Sequence, residues 1–96
     1  MSKIKSEELD RLYEAILSLR TPEECAKFFD DLCTIKELQD LSQRLAVAEM
    51  LNAGRSYSDI CESTGASTAT ISRVSKALNY GSDGYRLILD RRKNGL

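Results

Sequence analysis

Twenty consecutive residues, Tyr57 to Lys76, constrain this 96-residue chain more than any other stretch. They read as two short helices joined at Gly65. Ile60, the fourth of the twenty, falls on the inner side of the first helix. Cys61, the fifth, lies where the helices cross and has to be small. Gly65, the ninth, turns the chain with positive φ, which a residue without Cβ does at no steric cost. Ala66, Ile71 and Val74 fall at the remaining inward positions. Thr64, at the eighth, is polar where an apolar residue is more usual. This spacing is the helix-turn-helix pattern.

The second helix has an odd composition. Its opening, "TGASTATISR" at 64–73, is almost all Thr, Ser and Ala, yet Ile71, Val74 and Leu78 follow at helical spacing. Short side chains bury little apolar area. They do let a backbone approach a surface closely, as a recognition helix must in the major groove of DNA. Ser67, Thr68, Ala69 and Ser72 suit that approach. Their hydroxyls can bond phosphates or bases, and a Thr or Ala methyl can meet the thymine methyl. Arg73 and Lys76 lie a turn further along and can reach a guanine edge or the backbone. Arg55, just before the unit, favours the backbone. The plainer reading is a helix hairpin whose small residues mark close packing, with Lys76 as ordinary solvated surface. The hydroxyls on the face away from Ile71 and Val74 favour DNA, because a packing face prefers Ala to Thr and Ser.

Charge divides the chain in the same sense. Residues 1–54 carry 7 Lys+Arg against 11 Asp+Glu, and residues 55–96 carry 7 against 4. No acid occurs within 65–80. An acidic first part and a mildly basic second part imply different jobs.

The rest reads as helix. An apolar stripe at Leu9, Leu12, Ile16 and Leu19 predicts a helix from about Ser6 to Arg20. "TPEE" at 21–24 starts a second with Thr21 as cap, Pro22 in the first position and Glu24 completing a capping box. That helix is expected to bury Cys25, Phe28, Phe29 and Leu32. "TIKE" at 34–37 repeats the device and opens a long helix to about Ala53, ended by Gly54. Residues 57–63 and 67–79 form the short pair. "YRLILDRRK" closes the chain with its cations in the last turn, where the helix dipole favours them. No strand shows convincing alternation, so the fold is all-α with six helices. The elements after Gly54 are expected to bury less per residue than the long helices, leaving the short pair mobile relative to the core.

Several function classes are excluded. There is no His, and Cys25, Cys33 and Cys61 form no C-x-x-C pair. No zinc site, disulfide framework or cysteine nucleophile with a His base follows, and no catalytic constellation is present. The three cysteines read as small buried apolar residues. No run approaches the roughly 20 apolar residues that span a bilayer, and no secretory signal is visible. The expectation is a cytoplasmic protein that is not an enzyme, with no membrane partner, no metal and no certain cofactor.

Residues 41–81, "LSQRLAVAEMLNAGRSYSDICESTGASTATISRVSKALNYG", closely resemble the Trp-repressor-like family, in particular its YerC/YecD branch. The likeness is tightest over "TGASTATISRVSKAL" and extends more weakly over nearly the whole chain. It implies a single domain over 1–96, with dimerisation helices in 1–54, the helix-turn-helix in 55–80 and a C-terminal helix in 81–96. It implies an intertwined homodimer that reads a pseudo-palindromic double-stranded DNA operator, with half-sites roughly 34–36 Å apart, and that represses transcription. It also implies a small-molecule corepressor, which is L-tryptophan in the family's best-known member, held between two arginines. Arg73 matches one of these. Arg44 matches the other if one residue is missing near Arg55–Tyr57; without that gap Gln43 takes the place. Val74 stands where a glycine faces the ring and Ala77 where a serine hydroxyl holds the ligand, so the resemblance supports the DNA role above the tryptophan role. Arg73 then serves DNA, another effector, or an internal pairing with Glu49. The competing reading is a protein-interaction module whose acidic N-terminal helices bind a protein partner.

Overall fold

A computed structural model describes residues 6–93. They form six helices: α1 (Glu7–Leu17), α2 (Pro22–Leu32), α3 (Ile35–Asn52), α4 (Tyr57–Thr64), α5 (Thr68–Tyr80) and α6 (Gly84–Lys93). The chain divides into two compact units, residues 1–38 and 39–96.

Local chemistry fixes the helix starts in the first unit. The Ser6 hydroxyl accepts from the Leu9 N–H at 3.0 Å, and Glu7, Glu8 and Asp10 fill the first turn of α1. Thr21 accepts from the Glu24 N–H at 3.1 Å, while the Glu24 carboxylate reaches one residue further back than a standard box, to the Arg20 N–H at 2.8 Å. Thr34 and Glu37 close a full reciprocal box at 3.1 and 2.8 Å. Each bond satisfies an amide that a helix start otherwise leaves open. Helix α1 ends at Leu17, three residues before the apolar stripe predicts. There Ser18 takes over, its N–H donating to the Glu14 and Ala15 carbonyls and its hydroxyl to the Ala15 carbonyl at 2.6 Å.

The first unit has a further departure. Neither α1 nor α2 contains a buried residue. Cys25, Phe28 and Phe29 are half-buried and Leu32 is exposed, so the expected burial of that face is not achieved within the chain. Phe28 and Phe29 pack edge to face with ring centroids 5.5 Å apart. Leu17 is 83% exposed and Ile35 75%. All three cysteines are half-buried rather than fully enclosed.

The second unit holds the core. Val47 and Ala48 from α3, Ile60 from α4, Ala66 from the turn, Ile71, Val74 and Leu78 from α5, and Leu89 from α6 are buried together. Met50, Leu51, Cys61 and Tyr85 pack around them. The expectation that the short elements bury less is therefore reversed: α5 buries three residues of its 13, α3 two of its 18. An amphipathic stripe measures the wish for burial, and the partner surface decides whether it is met. Helix α3 ends as predicted. Gly54 adopts φ +82, its N–H donates to the Leu51 carbonyl and the Arg55 N–H to the Met50 carbonyl, which is the Schellman pairing.

Candidate nucleic-acid interface

The α4–α5 pair meets the spacing argument residue by residue. Ile60 and Ile71 are fully buried, Val74 is 1% exposed, and Ala66 is buried with them. Gly65 turns the chain at φ +74, its N–H donating to the Cys61 carbonyl at 2.9 Å. Thr64, the polar departure at the eighth position, is fully used. Its hydroxyl donates to the Ile60 carbonyl at 2.7 Å and accepts from the Ala66 N–H at 3.1 Å, so it ends one helix and braces the turn. The Gln43 side-chain amide donates to the Thr64 carbonyl at 3.1 Å, tying α3 directly to this turn.

Helix α5 has two unlike faces. Ile71, Val74 and Leu78 point into the core, while Thr68, Ala69, Ser72, Arg73 and Lys76 are exposed. Thr68, Ser72 and Lys76 follow at intervals of four, and Arg73 follows Ala69 by four, so the exposed residues form adjacent stripes on one side of the helix. The α5 first turn contains no acid. This is a slim, acid-free ridge ending in two cations.

Ser67 is exposed but occupied. It is the N-cap of α5: its oxygen accepts from the Thr70 N–H at 3.1 Å and lies 3.1 Å from the Thr70 hydroxyl. Arg55 is half-exposed and paired with Asp59 at 3.5 Å, an exposed contact that a phosphate can displace. Ser56 caps α4 through the Asp59 N–H at 3.1 Å.

The residues assigned to an effector pocket are dispersed in character. Arg44 is half-buried on α3, and Arg73 is exposed on α5. Val74 is spent in the core. Ala77 is exposed and lines an apolar hollow with Leu45, Ser82, Gly84, Tyr85 and Ile88. Glu49, considered as a partner for Arg73, holds Arg92 at 3.2 Å.

One group escaped the sequence reading. The Arg86 guanidinium donates through one nitrogen to the Asn52 side-chain oxygen at 2.8 Å and through the other to the Asn79 side-chain oxygen at 3.0 Å. These contacts join the ends of α3 and α5 through α6 across separations of 34 and 7 residues, where no local period signals them.

Comparison with known proteins agrees with this geometry. The family model for Trp repressor protein matches residues 7–93. The uncharacterized protein YerC of Bacillus subtilis is 58% identical over 93 residues, which cover 97% of this chain and 89% of YerC. A candidate Trp repressor from Staphylococcus aureus has a crystal structure that matches with a TM-score of 0.91 and 54% identity, over 95% of this chain and 91% of that one. A TrpR-like protein from Eubacterium eligens matches at 0.92 and 53%, over 95% and 94%.

Proposed function

The chain belongs to the Trp repressor protein family, in its YerC branch, and from that premise we propose that it is a sequence-specific DNA-binding transcriptional regulator that acts as a homodimer and represses. The observation that carries the reading is the exposed ridge of α5. Thr68, Ala69, Ser72 and Arg73 stand on the side of the helix away from Ile71, Val74 and Leu78, with no acid between Gly65 and Tyr80. Thr68 and Ser72 contact base edges, Arg73 reaches a guanine or a phosphate, and Lys76 and Arg55 neutralise the backbone.

The dimer is supported by the first unit. Helices α1 and α2 carry apolar faces that find no interior within the chain, and Leu17 and Ile35 are largely exposed. A second copy covers those faces and sets two α5 ridges about one DNA turn apart.

Duplexes selected from a random pool by the purified protein provide the test. An Arg73→Ala, Ser72→Ala double variant is expected to stay folded and dimeric, and to lose specific binding. Undiminished affinity in that variant sinks the assignment of the ridge. A stable dimer without affinity for any duplex, even at low salt, favours the protein-interaction module instead.

A further inference from the structure

We propose that Arg86 is a positioning residue for DNA recognition: by bridging Asn52 and Asn79 it fixes the tilt of α5 against α3. This rests on the reading of α5 as the recognition helix.

Three apolar side chains, Ile71, Val74 and Leu78, seat the inner face of α5. Side-chain packing restricts the crossing angle of the helix but leaves a spread, since preferred packing angles scatter by about 15–20°. Direction comes from hydrogen bonds, and the Arg86 fork supplies two that diverge, at 2.8 Å to the end of α3 and 3.0 Å to the end of α5. The Asn79 acceptor is itself aimed. Its amide nitrogen donates to the Ser75 carbonyl at 2.9 Å and lies 3.4 Å from the Ser75 hydroxyl, which turns its oxygen toward Arg86. Helix α6 is anchored by Leu89 in the core and by Arg92 on Glu49, so the arm that carries the fork is itself held.

The lever is long. At about 1.5 Å per residue, Asn79 lies roughly 16 Å along α5 from Thr68. A tilt of about 5° at the Asn79 end moves Thr68 by roughly 1.4 Å, more than the tolerance of a hydrogen bond to a base edge. A lysine cannot replace the fork, because a single ammonium is a point charge without the paired planar donors.

The experiment uses the full chain and a duplex that the wild-type protein selects from a random pool. Arg86→Ala and Arg86→Lys are each expected to weaken specific binding about tenfold, equivalent to about 1.4 kcal/mol. Affinity for random-sequence duplex and the salt dependence of binding should stay as in the wild type. Asn52→Ala should reproduce the specific loss, and combining it with Arg86→Ala should add little. A salt slope that falls by about 0.9, with equal losses on selected and random duplex, would mean that Arg86 contacts a phosphate directly, and this overturns the proposal. Full activity of Arg86→Lys overturns it as well. Amide exchange at residues 76–80, measured without DNA, is expected to quicken in Arg86→Ala. Unchanged exchange there refutes the strut whatever the DNA result. A wild-type protein that selects no duplex defeats the DNA reading itself, and the exchange data then judge the strut alone.

Discussion

Two glycines behave differently at the residue scale. Gly65 takes φ +74, and a methyl group added there meets nothing within 4 Å. Gly65→Ala therefore costs only the left-handed backbone strain, about 1–2 kcal/mol, read as a shift in the urea midpoint. At Gly81, φ is −89 and no left-handed penalty arises, yet a Cβ would fall against the Ala77 carbonyl oxygen, to which the Gly81 N–H donates at 2.9 Å. That oxygen is main chain and cannot swing aside. Gly81→Ala should therefore lower the midpoint further than Gly65→Ala, which reverses the order that φ alone suggests. Val74 and Ala77 bear on the effector. Val74 belongs to the core and Ala77 offers no hydroxyl, so saturating L-tryptophan should leave affinity for a selected duplex unchanged. A tenfold or greater enhancement in a binding titration would contradict that.

Helix ends are local chemistry, and at the scale of single elements they were legible. Thr21, Thr34 with Glu37, Gly54 and Gly65 act where the sequence places them, because a cap involves residues three or four apart, while Glu24 accepts from the Arg20 amide and not from that of Thr21. Thr34→Ala removes an N-cap and half of a reciprocal box, so it should lower the stability of the chain by about 1 kcal/mol in urea denaturation. The inward positions of α4 and α5 were equally readable, since two packed helices in fixed register demand particular sizes at Ile60, Ala66, Ile71 and Val74. Other features were not. Ser67, expected at DNA for its hydroxyl, also caps α5 by accepting from the Thr70 N–H, a second use that composition alone does not show. Burial in α2 is not met within the chain, because an apolar stripe states a need and not who meets it. Arg86 joins two asparagines through the tertiary fold, and no pattern within a single helix encodes such a meeting.

Taken as a whole, the molecule separates a unit with an interior from one without. Among the described residues, the eight buried core residues lie between Val47 and Leu89, none in α1 or α2. If a second copy supplies the missing cover, a Leu17→Glu, Ile35→Glu variant should run as a monomer in native mass measurement while residues 39–96 keep their helical content. An intact dimer in that variant would place the interface elsewhere. The same division governs the response to dilution. Residues 39–96 hold their own core, whereas α1 and α2 bury nothing alone and, on the proposed dimer, gain an interior only in company. If a second copy supplies that interior and the proposed regulation holds, the chain takes a census of itself: scarce copies leave its arms open, and a controlled gene then answers to a population rather than to a molecule.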